Sequence, residues 1–190
     1  MTQILARLAV LVLLLLLSAA GVGIWSFLLE ARKDAGSSLF LAHIYLGLAA
    51  PLAGLGAHCL VFIYFLGTGR WVKEVCLAYG IPDEPLPRMT RELKRAAFPP
   101  ALFSMLVLVP AVATGAGVQT AGWPWYLHSL GATAAILVNL WAFPVELRCV
   151  EANARIIDDV MREVDRIRAS KGLPTNAEAL RQQQEQTVEG

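Results

Sequence analysis

The sequence contains four long stretches that are apolar enough to cross a lipid bilayer as helices, and this feature constrains the fold most. The four windows are 8–29, 38–67, 98–118 and 122–147, and each reaches the roughly 20 residues that a membrane-spanning helix needs. Charged residues make up only 16% of the chain, against about a quarter in soluble domains. The sequence therefore predicts an all-α integral membrane protein with a bundle of four transmembrane helices.

The first window lies close to Met1, so a cleavable signal peptide is the alternative interpretation of it. The apolar run continues through Trp25 and Phe27 and meets no charge until Glu30. That is longer than the apolar region of a typical signal peptide, and we expect a retained first helix.

Basic residues are concentrated in two segments, and their distribution predicts the orientation of the helices. Residues 68–97 contain six Lys or Arg side chains, and residues 148–190 contain seven. Segment 30–37 has two basic residues offset by two acidic ones, and segment 118–123 has no charge. Because basic loops stay on the cytoplasmic side, we expect an N-in/C-in protein of the inner (cytoplasmic) membrane.

The windows also divide the chain into two parts. Residues 1–150 form the predicted transmembrane domain, in which 68–97 is a cytoplasmic loop. Residues 151–190 form the predicted cytoplasmic extension, an amphipathic helix followed by a flexible tail. Val150, Ile157 and Val164 repeat every seven positions, which predicts that helix 150–171 packs on a protein partner or on another copy of this chain.

Helix ends are predicted from glycine and hydroxyl residues. Gly67 and Gly69 predict the end of the second helix, because glycine is common just past a helix C-terminus. Residues 71–79 then predict a short interfacial helix, and Thr90 is the expected N-cap of the third helix. The segment "TNAE" at 175–178 has the capping-box pattern, which predicts one more short helix.

Two histidines of the second window share a face with small residues. At about 100° per residue, Gly47 and His58 fall within about 60° of His43 around the helix. The fourth window repeats this design, since Asn139 and Glu146 fall within about 20° of His128. Ionisable groups are costly in lipid and face the bundle interior, so both stripes are expected to face protein.

The depth of the outer histidines suggests a cofactor. His43 and His128 each lie about five residues, or about 8 Å, below the outer ends of two parallel helices. Two imidazoles at matched depth suit the axial ligation of a b-type haem. The sequence therefore predicts one haem b with its iron bound by His43 and His128, and with Gly47, Gly131 and Ala132 beside the macrocycle.

Other interpretations of these polar groups stay open. His43 and His128 can be purely structural and hydrogen-bond across helices, or they can hold another metal, although zinc normally takes more than two protein ligands. His58, Asn139 and Glu146 form a possible inner polar site that could bind a quinone headgroup or pass protons. A buried structural network explains these three residues as well.

Two classes of function follow from these features. The first is a small b-type cytochrome-like protein that relays electrons, with quinone as a candidate redox partner. The alternative is a non-catalytic membrane scaffold or an accessory subunit of a larger complex. We find no nucleophile with a base in reach, no HExxH motif and no nucleic-acid-binding motif, so we do not expect an autonomous enzyme.

Overall fold

A computed structural model describes residues 1–31, 34 and 36–189, without the side chains of residues 182, 183 and 187–189. Of the residues counted in the charge argument, Arg32 and Lys33 lie outside the described residues. The described chain is 88% helix and contains no strand. It forms five helices, which are α1 (Thr2–Leu28), α2 (Ser38–Tyr79), α3 (Leu86–Thr120), α4 (Trp125–Ser170) and α5 (Asn176–Glu189).

Helices α1 to α4 are each long and apolar enough to cross a membrane. This confirms the all-α class and the four membrane-length helices that the apolar windows predict. Helices α2 and α4 have 42 and 46 residues, so each is roughly twice as long as a bilayer core about 30 Å thick requires. Both helices therefore extend beyond their apolar windows.

The prediction that α2 ends at Gly67 and Gly69 is wrong, because the helix continues unbroken to Tyr79. It ends instead at Gly80, whose φ of 69° is the left-handed conformation that glycine adopts most easily. The N–H of Ile81 donates to the carbonyl of Cys76, five residues earlier, at 2.8 Å. This is the 6→1 hydrogen bond of a Schellman motif. Residues 71–79 are therefore the end of α2 and not a separate helix.

The segment 68–97 is likewise not a loop, because only residues 80–85 connect α2 to α3. Thr90 lies inside α3 and is 2% exposed, so it is not the N-cap. The connector is closed on its α3 side by Arg91, which donates to both carboxylate oxygens of Asp83 at 2.8 and 2.6 Å. The helix starts early because Leu86 and Leu93 have a core to pack on.

The described residues form two compact units, and each is considered by itself. Unit 1 contains residues 1–64 and 94–151. Its core takes residues from all four long helices, and they are Ala9, Val12, Leu16, Ala50, Ala57, Leu108, Ala111, Ala135 and Phe143. Most of these side chains are small, which lets the helices pack closely.

Unit 2 contains residues 65–93 and 152–190, so it takes part of α2 and α3 in addition to the extension predicted from residue 151 onwards. Its core joins Val72 and Cys76 of α2 to three residues of α4, which are Ile156, Val160 and Val164. The apolar side of α4 that predicted a partner is therefore covered by residues of the same chain.

Helix α5 begins with the capping box that "TNAE" predicts. The Thr175 N–H donates to Glu178 Oε2 at 2.8 Å, and the Glu178 N–H donates to Thr175 Oγ1 at 3.4 Å. These reciprocal bonds satisfy two backbone donors that a helix N-terminus otherwise leaves free. The hydrogen bond from Thr175 also lowers the pKa of the Glu178 carboxyl. Residues 176–189 are thus helical, where the sequence predicts a short helix and a flexible tail.

Candidate functional site

The outer histidines of unit 1 are both anchored to backbone carbonyls of a neighbouring helix. His43 Nδ1 lies 2.9 Å from the carbonyl oxygen of Ala19 on α1, and His128 Nδ1 lies 3.0 Å from that of Ala111 on α3. A carbonyl can only accept a hydrogen bond, so each Nδ1 carries the proton. In the neutral ring this leaves the Nε2 lone pair free to bind something else.

A glycine one turn beyond each carbonyl makes room for the ring. His43 Cε1 lies 2.6 Å from the position of a Cβ on Gly23, and His128 Cε1 lies 2.9 Å from that of a Cβ on Gly115. Any larger residue would push the imidazole away. The α1–α2 and α3–α4 pairs therefore use the same arrangement, in which an Ala-x-x-x-Gly segment of one helix holds a histidine of the next.

The two anchored rings lie next to each other. The ring centroids of His43 and His128 are 5.9 Å apart, and the ring planes are inclined by 72°. Both side chains are half-buried, and within the described residues neither Nε2 has a hydrogen-bond partner. The structure thus brings together the two histidines that the sequence predicts as a pair.

The three small residues predicted beside this pair have different surroundings. Gly131 faces α3, where a Cβ would lie 3.3 Å from the Cα of Ala111, so it serves the close approach of α4 to α3. A Cβ on Gly47 would meet no atom within 4 Å, which leaves open space one turn from His43. Ala132 is half-buried. Their role beside a macrocycle stays a prediction.

The ligand set at this pair fits a haem better than a bare metal ion. Among the described residues, no group of three or more His, Cys, Asp and Glu side chains is close enough to hold a metal. A closed zinc site needs four protein ligands, whereas a haem brings its own equatorial nitrogens and needs only two axial ones. The ring centroids are 5.9 Å apart, and two imidazoles that pointed their Nε2 atoms at one iron about 2 Å from each nitrogen would have centroids about 6 Å apart.

The inner polar residues form one continuous network between α2 and α4. His58 Nδ1 lies 2.8 Å from Glu146 Oε1, and His58 Nε2 lies 2.9 Å from Asn139 Oδ1. All three side chains are fully buried, and the ring of Phe143 stacks on that of His58 with centroids 4.8 Å apart. The predicted inner residues are therefore joined directly to one another.

The network fixes one proton on His58 Nε2. The amide nitrogen of Asn139 donates to the carbonyl of Ala135 at 2.8 Å, so Oδ1 is the atom that faces His58. Because that oxygen can only accept, His58 Nε2 must carry a proton. A second proton must then lie between His58 Nδ1 and Glu146 Oε1, since two lone pairs would otherwise face each other. The pair is electrically neutral with either residue as the owner of that proton.

One polar atom of this network is left over. Glu146 Oε2 is buried and, among the described residues, has no hydrogen-bond partner. A buried carboxylate oxygen without a partner is costly, and such groups inside membrane proteins are commonly functional. Glu146 Oε2 is therefore the acceptor atom of the network that has no partner among the described residues and can take a further proton or hydrogen bond.

Sequence reasoning missed the groups that hold the outer rings. The carbonyls of Ala19 and Ala111 are backbone atoms, and no side-chain pattern marks them. The available signal was the small-x-x-x-small spacing of Ala19 with Gly23 and of Ala111 with Gly115, which indicates close helix packing. The spacing does not say which side chain enters the gap.

Comparisons with known proteins give no further information about this site. No family model matches the chain, and no match was found among curated proteins or among solved structures. The functional argument therefore depends on the residues and their geometry alone.

Proposed function

We propose that the chain is a small b-type cytochrome of the membrane, which binds one haem between His43 and His128 and relays electrons. The observation that carries the proposal is the outer pair itself, two imidazoles on different helices with 5.9 Å between their centroids and with both Nδ1 atoms bound to carbonyls. Metal-binding histidines typically donate their other N–H to an oxygen in this way.

Two histidine side chains, two backbone carbonyls and two glycines would each have a role at this centre. His43 and His128 would hold the iron through Nε2, and the bound haem would supply one-electron redox chemistry. The Nδ1–H bonds to Ala19 and Ala111 keep each ring in one tautomer and make Nε2 a stronger donor. Gly23 and Gly115 permit these bonds because they leave space for the ring edges.

The proposal includes the orientation of the protein in its membrane. Both termini lie in the cytoplasm of an N-in/C-in protein of the inner membrane, because the chain concentrates its Lys and Arg residues in segments 68–97 and 148–190. His43 and His128 then lie near the outer face. Quinone, which dissolves in the same bilayer, is the redox partner that we propose.

The test is the colour of the purified protein. Protein extracted in mild detergent from haem-replete cells should have a Soret band that shifts when dithionite is added, with about one haem per chain. His43→Ala and His128→Ala should each remove this band. Tyr45→Phe, an exposed position two residues from His43, and His58→Gln in the inner network should keep it. A colourless wild-type protein would overturn the proposal.

A non-catalytic scaffold or accessory subunit is the second candidate. It is favoured by the fact that the carbonyl hydrogen bonds and the inclined contact of the two rings stabilise helix packing without any ligand. Since the apolar side of α4 is covered within unit 2, a partner or a second copy would have to dock on another face. Light scattering of the purified protein would detect self-association.

A further inference from the structure

We propose that the inner network of His58, Asn139 and Glu146 is a redox-linked proton site, at which Glu146 Oε2 takes up a proton when an electron reaches the outer pair. This inference rests on the proposed function, because it assigns a proton partner to the electron of the cytochrome. It is carried by the unpartnered oxygen of a fully buried carboxylate and by the proton that Asn139 fixes on His58 Nε2.

The network defines where the proton binds. With Asn139 Oδ1 facing Nε2 and Glu146 Oε1 facing Nδ1, both nitrogens of His58 are already used. Among the described residues of the network, Glu146 Oε2 is the acceptor atom without a hydrogen-bond partner. Uptake adds one proton from water to Oε2 and forms one O–H bond, while the shared proton is held by His58 Nδ1, so that the product is an imidazolium beside a neutral carboxylic acid. The electron comes from the redox partner.

No other ionisable group of the spanning region competes with this site from α1 or α3. Residues 8–28 of α1 and 96–120 of α3 contain no ionisable side chain. On α2 and α4 the nearest titratable neighbours along the chain are Cys59, which follows His58, and Arg148 and Cys149, which lie two and three residues from Glu146. Arg148 donates to the carbonyl of Pro144 at 3.0 Å, and Tyr64 donates its hydroxyl to the carbonyl of Val150 at 3.4 Å. None of these groups donates to Oε2.

The link between the two sites is electrostatic. Glu146 lies 18 residues from His128 on α4, which is about 27 Å along a helix. At an effective dielectric constant of about 20, one charge at about 25 Å changes a proton affinity about threefold. An added electron favours the protonated carboxyl, so the midpoint potential should fall as the pH rises, by about 30 mV in total for a threefold change.

The experiment is a redox titration of the haem-loaded protein from pH 5 to pH 10. We expect the wild-type midpoint potential to fall by about 30 mV across this range and the Glu146→Gln potential to stay flat. Glutamine keeps the fold, because its amide N–H can donate to His58 Nδ1. Glu151→Gln is the matched control, since Glu151 is an exposed carboxylate on the same helix, and it should titrate like the wild type.

Infrared spectroscopy gives a second measurement that needs no variant. The reduced-minus-oxidised spectrum of the wild type should contain a carboxylic acid C=O band that shifts in deuterium oxide, and Glu146→Gln should lack it. A coloured wild-type protein without this band and with a pH-independent potential would overturn this inference alone. A slope retained by Glu146→Gln would also overturn it. A colourless wild-type protein would instead overturn the cytochrome assignment on which the inference rests.

Discussion

His58 of α2 and Glu146 of α4 are joined by a 2.8 Å hydrogen bond between two fully buried side chains that lie 88 residues apart in the sequence. Each residue lowers the free-energy cost of burying the other, because a lone buried charge costs several kcal/mol while a neutral pair costs far less. The bond therefore fixes how α2 and α4 meet inside unit 1, apart from any role in proton uptake.

Replacement of Glu146 should show this dependence. Glu146→Ala leaves His58 Nδ1 without a partner and opens a cavity, so we expect a loss of about 3 kcal/mol in the free energy of unfolding. Glu146→Gln keeps a donor for Nδ1 and should lose about 1 kcal/mol. Denaturant unfolding in mixed micelles measures both. Equal losses in the two variants would show that neither the volume of the side chain nor a retained hydrogen-bond donor is sufficient and that the carboxyl group itself is required.

A comparison of two glycines on α1 tests whether His43 needs the space that Gly23 leaves for its ring. Gly23→Ala places a methyl group 2.6 Å from His43 Cε1, and we expect a loss of about 1–3 kcal/mol from overpacking together with lower haem content. Gly21→Ala is the control, because a Cβ there meets nothing within 4 Å. It should be neutral or stabilising by up to about 1 kcal/mol. Absorbance measures the haem content and thermal unfolding measures the stability. Similar values for the two variants would show that His43 does not need the space beside Gly23.

The four long helices could be predicted from the sequence because a bilayer imposes a minimum length of apolar residues on every span. Their ends could not. Gly67 and Gly69 have the local signature of a helix end, but a helix that continues past them buries Val72 and Cys76 in the core of unit 2. That gain depends on residues of α4 that lie about 80 positions away, and a local pattern does not contain it.

The site could be predicted in part for a similar reason. Helical periodicity places His58, Asn139 and Glu146 on faces that must avoid lipid, and the structure joins them. Periodicity says nothing about which neighbouring helix supplies a carbonyl, so the bonds of His43 and His128 to α1 and α3 could not be foreseen. The same limit applies to Gly131, which packs against α3.

Substitution of two further glycines tests the correction of the α2 terminus. Gly80 has a φ of 69°, a conformation that costs an L-residue about 1–2 kcal/mol, so Gly80→Ala should be destabilising by about that amount. Gly67 lies inside α2 and a Cβ there meets nothing within 4 Å, so Gly67→Ala should stabilise by up to about 1 kcal/mol. If α2 ended at Gly67 instead, thermal unfolding would show the reverse, with Gly67→Ala destabilising and Gly80→Ala not.

Imidazole added in solution should replace a missing ligand. His43→Gly removes the side chain and leaves a cavity next to Ala19 O and Gly23, into which a free imidazole fits. We expect millimolar imidazole to restore the Soret band and the α-band of the reduced protein in His43→Gly. Imidazole should not restore these bands in Gly23→Leu, because the leucine fills the space beside His43 from α1. Failure of rescue in a folded His43→Gly protein would argue against His43 as a ligand.

The ion pair that closes the connector between α2 and α3 predicts a pH dependence of stability. The hydrogen bond and charge of Arg91 hold the pKa of the Asp83 carboxyl below its usual value. A carboxyl with a lowered pKa in the folded state stabilises the protein above its unfolded pKa of about 3.9, and this contribution is lost as the pH falls through the folded pKa. Asp83→Asn should therefore lower the thermal midpoint at pH 7 but not at the acid end of the titration.

The midpoint of Glu185→Gln, which removes an exposed carboxylate from α5, should follow that of the wild type. An Asp83→Asn deficit that stayed constant from pH 7 to pH 2 would show that Asp83 acts through packing and not through its charge.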